Sequence, residues 1–244
     1  MSIAIAARNA RGAPPPDRAG DGTGARTGEG ALGDPRFRAL LSKEDWAALP
    51  AAVRRRFSRR LAGGSTAVYV GTVVETWMSR AGWLLAQALR LIGGPLPASR
   101  QAHLPAVVAV TEDMQSGGQV WTRLYARRRG FPQVIHSCKR FCGPTGIEEH
   151  VGCGVGMSLT VAVEDGALVF RSHRYFVEFG RRRMVLPAWA TPGALTVTHR
   201  EESRERFMFS LEIVHPRLGP LIRQRVSFQE ATLPLSSHPV PVMG

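Results

Sequence analysis

The sequence predicts an α+β protein built on a curved, mainly antiparallel β-sheet that closes in part into a barrel. Three observations predict this class. Nine short segments between residues 66 and 228 are β-branched or alternate apolar and polar residues, as half-buried strands do. Short turns join most of them, which suits antiparallel neighbours. N-terminal helices and one short apolar helix accompany the strands, and curling of such a sheet removes its exposed edges.

Composition divides the chain into three parts. Residues 1–33 are rich in Ala, Gly, Arg and Pro, so we predict a disordered tail that buries too little surface to offset its ordering entropy. Residues 34–230 are predicted to form a single α+β domain, and residues 231–244 a flexible C-terminal tail. No apolar run approaches the ~18–20 residues that span a bilayer, and Ile3–Ala7 is too short for a secretory core. We therefore expect a cytoplasmic protein without a transmembrane segment.

The first predicted elements are helical. Asp34-Pro35 places an N-cap residue before Pro at the first helical position. A second helix is predicted over Ser42–Arg60, with a break near Leu49 because Pro50 lies inside it. Both helices precede the first predicted strand.

A third helix, predicted over Trp83–Ile92, is strongly apolar and is ended by Gly93-Gly94-Pro95. Leaving its large side chains in water would cost on the order of 10 kcal/mol, which rivals the net stability of a whole domain. We expect this helix to pack on the concave face of the sheet as a core plug. The alternatives are a lid over an apolar pocket and a face that lies on a membrane.

The strands follow, with hairpin turns expected at Ser116-Gly117-Gly118 and at Asp165-Gly166. One face is shared by Leu159 and Val161, and another by Phe209 and Leu211. The predicted strands are Thr66–Thr76, Ala106–Met114, Gln119–Ala126, Gln133–Phe141, Val155–Val163, Ala167–Phe179, Leu195–Arg200, Phe207–Val214 and Ile222–Phe228.

The formal net charge of +13 favours anionic partners: nucleic acid, anionic lipid headgroups or an acidic protein. A solvated basic surface without a specific partner is the alternative. Arg127-Arg128-Arg129 and Arg181-Arg182-Arg183 stand near predicted strand ends, and would form an anion-binding rim if the fold gathers them on one side. Stacking aromatics and a reading helix are not evident, which makes nucleic acid the less favoured partner.

One short stretch collects residues that commonly bind zinc, namely His136, Cys138, Cys142, His150 and Cys153. An extended strand would hold the sulfurs of Cys138 and Cys142 roughly 13 Å apart, too far for a shared ion at ~2.3 Å. Only a tight turn at Phe141–Gly146 would bring them together, so these residues are weak metal candidates. The alternatives are a Cys138 nucleophile activated by His150, and buried, unreactive thiols.

No cofactor is predicted. The glycine-rich run Gly152–Gly156 opens a strand, whereas a phosphate-binding loop opens a helix. Three cysteines do not make a disulfide framework.

Several short stretches together resemble the bacterial family DUF4166, a domain of unknown function: Leu49-Pro50, Gly93-Gly94-Pro95, Trp121-Thr122-Arg123, Leu186-Pro187-Ala188-Trp189 and His215–Leu221. They span roughly residues 34–230. The closing strand of that family tends to carry Tyr and Gly-Trp where this chain has Arg223-Gln224-Arg225. The resemblance implies a domain that stands alone or is joined to a reductase-like partner, and it implies no known activity.

The working hypothesis is a non-enzymatic domain that binds an amphipathic anionic ligand, such as a lipid or fatty acyl molecule, in the concave face of the sheet. It predicts a continuous apolar cavity lined by Leu159, Val161, Phe209 and Leu211. The full set of expected ligand-binding residues is Trp83, Leu85, Leu89, Trp121, Arg123, Leu159, Val161, Phe209 and Leu211. Two alternatives stay open: an accessory interaction domain for an oxidoreductase partner, and an enzyme that uses Cys138 or a metal.

Overall fold

The computed structural model describes residues 33–231, and these fold around one mainly antiparallel β-barrel. The predicted N-terminal tail lies outside the described residues except for Gly33, and the predicted C-terminal tail except for Ala231. The fold class predicted from the sequence, an α+β protein with a barrel-like sheet, is confirmed.

The helices are short. They are α1 (Lys43–Ala48), α2 (Ala51–Phe57) and α3 (Arg80–Ala88), with 3₁₀ turns at Arg38–Leu40, Leu89–Ile92 and Ala188–Ala190. The strands are β1 (Ala67–Met78), β2 (Pro105–Asp113), β3 (Gly118–Tyr125), β4 (Gln133–Arg140), β5 (Glu148–Gly152), β6 (Val155–Glu164), β7 (Ala167–Phe179), β8 (Arg182–Val185), β9 (Ala194–Glu201), β10 (Arg206–His215) and β11 (Gly219–Glu230).

Ten of these strands close the barrel in the order β6-β5-β4-β3-β2-β1-β11-β10-β9-β7, and β6 pairs again with β7. The long strand β7 pairs with β6 along one edge. Along its other edge it pairs first with β9 over Leu168–Arg171 and then with β8 over Phe176–Phe179. Every pairing is antiparallel, so successive connections lie at alternate ends of the barrel, except that β8 and β9 run in the same direction along one edge of β7 and the segment between them follows the turn at 180–181.

We call these two ends the N-terminal end and the cavity end. The N-terminal end consists of residues 33–66, 114–117, 141–147, 165–166 and 202–205. The cavity end consists of residues 79–104, 126–132, 153–154, 180–181, 186–193 and 216–218.

The N-terminal end is closed by α1, α2 and the segment before them. Ser42 caps α1 by accepting a hydrogen bond from the Asp45 amide at 3.0 Å, and Pro50 separates α1 from α2. The predicted helix over Ser42–Arg60 is thus two helices, broken where the proline predicted a break. The segment that begins at Asp34 forms only a 3₁₀ turn.

Aromatic side chains fill the contact between these helices and the barrel. The ring of Phe37 meets the rings of Phe57 and Phe141 edge to face, at centroid distances of 5.0 and 4.9 Å. Phe57 also lies 6.0 Å from Phe170 of β7. These rings belong to a continuous buried core, which closes the barrel at this end.

The cavity end is covered by α3, which Ser79 caps by accepting a hydrogen bond from the Gly82 amide at 3.0 Å. Gly82 allows the helix to lie directly on β11, because a Cβ atom there would stand 2.0 Å from the Leu221 carbonyl oxygen. The predicted apolar helix packs against β11, but Trp83, Leu84 and Leu91 stay exposed, so it is not the buried core plug that the sequence favoured. Among the described residues, no helix has the length and apolar character needed to cross a bilayer.

Candidate functional site

A cavity of about 340 Å³ lies inside the barrel beneath α3. Helix α3, the 3₁₀ turn after it and residues 186–192 border the cavity, and side chains of β3 to β7 and β9 to β11 form its wall. Its lining is mostly apolar, and it includes five of the residues expected from the sequence: Leu85, Leu89, Arg123, Phe209 and Leu211. Trp189 lines the cavity and is 79% exposed, so the cavity opens to solvent beside this side chain, at the end of the barrel that α3 covers.

The other four expected residues lie elsewhere. Trp121 lines a smaller void of about 30 Å³ toward the N-terminal end, which shares Arg123, Tyr125 and Phe209 with the main cavity. Leu159 is fully buried and Val161 is partly buried, both in the core beneath the N-terminal helices.

The fourth, Trp83, lies on the outer side of α3. Phe209 and Leu211 thus line a cavity as the hypothesis predicted, whereas Leu159 and Val161 are absent from its lining. Strand β6 is divided at this point: Val155 and Met157 line the cavity, whereas Leu159 and Val161 do not. The pairing of β6 with β7 shifts register between Ser158 and Leu159, where the two parts meet.

A cluster of charged side chains from three neighbouring strands lies at the inner wall of the cavity, where Arg123, Ser137 and Glu149 line it and Lys139 lies behind the lining. Lys139 of β4 and Glu149 of β5 are directly paired, and the Lys139 Nζ lies 3.0 Å from the Glu149 Oε2. Arg123 of β3 donates through Nη2 to the Ser137 Oγ at 3.1 Å and to the Glu149 Oε1 at 3.5 Å. All of these side chains are largely buried inside the barrel.

The cations fix the ionisation of Glu149. Burial by itself raises the pKa of this carboxyl, but the charges of Lys139 and Arg123 and the hydrogen bonds from Ser137 and Lys139 outweigh burial and bring its pKa to about 2. Burial lowers the pKa of Lys139, and the charge of Glu149 opposes that shift. The cluster therefore holds an ionised carboxylate against two basic groups.

Two side chains at the cavity, Arg123 and Tyr175, have polar atoms without a hydrogen-bond partner among the described residues. Arg123 uses only Nη2 for its hydrogen bonds, so its Nε and Nη1 have no acceptor among residues 33–231. The hydroxyl of Tyr175, which lines the cavity, is buried and forms no hydrogen bond of normal geometry with a described residue. Burial raises the pKa of Tyr175 to about 12, although a weak interaction with the Ser172 side chain acts to lower it, so the phenol keeps its proton. A buried polar atom normally has a partner, so the Tyr175 hydroxyl can receive a ligand, and Arg123 lines the same cavity with two nitrogen atoms free to donate.

Sequence reasoning identified Arg123 but missed Ser137, Lys139, Glu149 and Tyr175. Alternation along β4 was the available indication for two of them, because Ser137 and Lys139 share a face with Ile135 and all three are buried.

The weak metal candidates are spread over β4, β5 and the connections that follow them, and only two of the five come together. Cys142 and His150 have ligand atoms within 4.8 Å of each other and of Glu148, which the sequence did not single out. His136 is exposed, with its Nδ1 3.1 Å from the Thr122 Oγ1. Cys153 is exposed in the turn between β5 and β6.

Cys138 is not a member of this group. Its thiol donates to the Asp113 Oδ2 at 3.2 Å, and burial together with Asp113 raises its pKa to about 11. A thiol with such a pKa stays protonated near neutrality, whereas a nucleophilic cysteine requires a thiolate.

Glu148 is better matched to a guanidinium than to a metal ion. Its carboxylate is fully buried and accepts two hydrogen bonds from Arg183, at 2.6 and 2.9 Å. Gly143 makes room for it, since a Cβ atom at Gly143 would stand 2.1 Å from the Glu148 Oε1. The Arg183 charge thus stands where a cation would bind, so the residues fit a buried ion pair.

The fold and the site together define a closed, ten-stranded antiparallel barrel with an apolar internal cavity and a basic inner wall. The chain belongs to the family described as Domain of unknown function (DUF4166), whose family model matches residues 49–228. The resemblance seen in the sequence is therefore confirmed. No curated protein and no solved structure matches the chain.

Proposed function

We propose that the barrel binds an amphipathic small molecule with an anionic head, such as a fatty acid, inside the cavity. The observation that carries this proposal is the position of Arg123, which lines an apolar cavity of about 340 Å³ with two of its nitrogen atoms unpaired. Cavities of roughly this size bind small molecules through an apolar wall and a few polar groups that fix orientation.

The charges of the inner wall favour an anion. Arg123 and Lys139 place two cations beside the single carboxylate of Glu149. An incoming carboxylate would balance the second cation and accept hydrogen bonds from the Arg123 Nε and Nη1, a geometry that guanidinium groups favour. The Tyr175 hydroxyl offers one more donor.

The apolar chain of such a ligand would extend from Arg123 toward α3. Leu85, Leu89, Leu211 and Ile213 line that part of the cavity, and Trp189 stands at its opening. Each methylene group moved from water into this lining contributes about 0.8 kcal/mol. The head would therefore lie deep in the barrel and the tail toward the cavity end.

The pKa values at the cavity support binding more than proton transfer. Glu149, with a pKa of about 2, and Tyr175, with a pKa of about 12, keep their charge states across the neutral range. A general acid or base works best with a pKa near the operating pH.

The test compares dodecanoate with dodecanol, which have equal chain lengths and different heads, by displacement of the neutral fluorescent probe N-phenylnaphthylamine from the full-length chain. We expect dodecanoate to bind more tightly, and Arg123→Gln to weaken dodecanoate about ten- to hundred-fold, the effect of a lost charge-assisted hydrogen bond. The same variant should change dodecanol binding little.

Leu211→Trp serves as the second variant, because it fills the cavity and leaves Arg123 in place. It should reduce the affinity for both compounds, with folding checked by circular dichroism. Equal affinity of the native chain for the two compounds would contradict the anionic head, and unchanged binding by Leu211→Trp would contradict the cavity as the site.

A further inference from the structure

Helix α3 and the 3₁₀ turn after it present three different faces. Leu85, Leu89 and Ile92, spaced at i, i+4 and i+7, line the internal cavity. Trp83, Gln87 and Arg90, with the same spacing, line an open groove on the other side of the helix. Between these two faces Leu84 and Leu91 project into solvent, 62% and 89% exposed. Within residues 33–231 the helix therefore leaves an apolar stripe that no other side chain covers.

The groove beside this stripe is rich in arginine. It encloses about 450 Å³, and Arg90, Arg127, Arg128 and Arg129 line it together with Trp83 and four uncharged residues, Gln87, Ala98, Ser99 and Gln101. No carboxylate lines the groove, and none of the four arginines forms an ion pair with a described residue. The Nε of Arg127 is buried and has no hydrogen-bond partner in the part of the chain that the structure describes. The groove is therefore suited to anionic groups.

The rest of the cavity end has the same character. Its connecting segments contain eight arginines and no aspartate or glutamate. They also expose large apolar side chains, and Phe131, two residues after Arg129, is 91% exposed. Trp189 and Leu218 are exposed on two other segments of this end. Apolar side chains and unpaired arginines are thus interleaved on one surface.

We infer that the cavity end docks on the surface of an anionic phospholipid membrane. Lipid phosphates would occupy the arginine groove, and Leu84, Leu91 and Phe131 would enter the boundary between headgroups and acyl chains. Interfacial helices combine these two features, an apolar face and adjacent basic side chains. A soluble polyanion or a nucleic acid would match the arginines but would leave the protruding leucines in water.

Docking in this orientation places the opening of the cavity against the bilayer. A ligand would then pass between the membrane and the barrel without crossing water, a consequence that rests on the proposed function. The docking itself does not depend on the cavity, because Arg123 and Glu149 lie inside the barrel and the groove lies outside it.

The test is sedimentation of the full-length chain with vesicles of phosphatidylcholine alone, or of phosphatidylcholine and phosphatidylglycerol in equal parts. We expect binding only to the anionic vesicles, weakened by added salt. Arg128→Gln with Arg129→Gln should weaken binding about 30-fold, since each basic residue near an anionic surface contributes about fivefold. Leu91→Ser should weaken it several-fold.

Matched controls come from the N-terminal end. Arg204→Gln with Arg206→Gln removes the same charge from the hairpin between β9 and β10, and Met114→Ser alters a side chain that is 84% exposed. Both should bind anionic vesicles like the native chain. Arg123→Gln should do so as well, which separates this inference from the proposed ligand.

Two results would overturn the inference. Equal losses in the arginine variants of both ends would mean that binding follows net charge alone. Retention on immobilised polyphosphate or an oligonucleotide that depends on Arg128 and Arg129, with vesicle binding unaffected by Leu91→Ser, would assign the groove to a soluble polyanion.

Discussion

The two ends of the barrel differ in how they are closed and in what they expose. At the N-terminal end, Phe37, Phe57 and their neighbours fill the barrel with packed aromatic rings, and the void that remains is about 30 Å³. Its connecting segments mix nine basic with six acidic residues. At the cavity end, one short helix covers a void of about 340 Å³, and the connecting segments carry arginine without any carboxylate.

Because of this difference, we expect the N-terminal end to contribute most of the stability and the cavity end to contribute the binding site. Packed aromatic contacts hold the N-terminal end rigidly, since interiors of this density tolerate little rearrangement. The cavity end leaves apolar side chains in partial contact, and such regions open at lower free energy than a packed core. Substitutions at the two ends should therefore have different consequences.

The largest effect on stability is expected at the N-terminal end. Phe57→Ala removes a buried ring that contacts Phe37, Phe170 and His199, and should lower the free energy of unfolding by about 3–5 kcal/mol. Urea denaturation followed by tryptophan fluorescence measures this loss. Affinity for dodecanoate in the folded protein should change little, and a loss below about 1 kcal/mol would contradict the closed, packed end.

A loss of unfolding free energy of similar size is expected at the buried charged cluster of Arg123, Lys139 and Glu149. Glu149→Gln leaves the buried charges of Lys139 and Arg123 without a carboxylate, and should cost about 3–5 kcal/mol of unfolding free energy. The exposed pair formed by Glu164 and Arg171 supplies the control, because Glu164→Gln should change the free energy of unfolding far less than Glu149→Gln. Comparable losses for the two variants, measured by urea denaturation, would contradict the buried cluster.

A smaller, pH-dependent effect is expected from His199 at the N-terminal end. Burial and the nearby Arg56 hold the pKa of His199 well below its usual value, so the folded protein keeps this imidazole neutral. The unfolded chain binds the proton below about pH 6.5, and stability should fall with decreasing pH by up to about 1.4 kcal/mol per unit.

Replacement of His199 by Gln, which keeps an acceptor for the Arg56 Nε, should reduce that slope. Thermal unfolding of both proteins at pH 7 and pH 5 provides the measurement. Equal slopes would mean that this histidine is accessible to protons in the folded state.

The smallest effect is expected at the cavity end. Leu89 is only partly buried and faces the cavity, so Leu89→Ala should cost about 1 kcal/mol of unfolding free energy. Its affinity for dodecanoate should nevertheless decrease, in contrast to Phe57→Ala. A loss as large as that of Phe57→Ala, measured by the same urea denaturation, would mean that α3 is packed core and not a cover over a binding site.

Local patterns were sufficient to predict most elements of the barrel. The turn at Asp165-Gly166 joins β6 and β7, and the break at Pro50 separates α1 from α2. The apolar run Trp83–Ile92 predicted both the helix and its contact with the sheet. Two strands were missed: β5 begins with Glu148 and Glu149, and β8 begins with Arg182 and Arg183. Charged residues at the start of both strands interrupt the apolar alternation by which a strand is recognised. Their partners on other strands, which the sequence does not show, allow them to be part of the sheet.

The candidate site depended more on pairing between strands than on local pattern. Glu149 can be buried because Lys139 lies directly opposite to it on the neighbouring strand β4. The sequence does not show the register that pairs these two residues. The sequence also could not show that Leu159 would lie beneath the N-terminal helices, while Met157 of the same strand lines the cavity. The arginine run at residues 127–129 and Arg181 do stand at one end, because antiparallel connections alternate between ends.

Native mass spectrometry of the purified full-length chain, followed by organic extraction of the same sample, tests the binding site within the barrel most directly. We expect an additional mass in the range of a fatty acid or a similar single-chain anion, carried by a smaller fraction of the protein in the variants Arg123→Gln and Leu211→Trp. A chain that carries no additional mass, and that fails to bind dodecanoate when it is supplied, would contradict the assignment of the cavity as a ligand site.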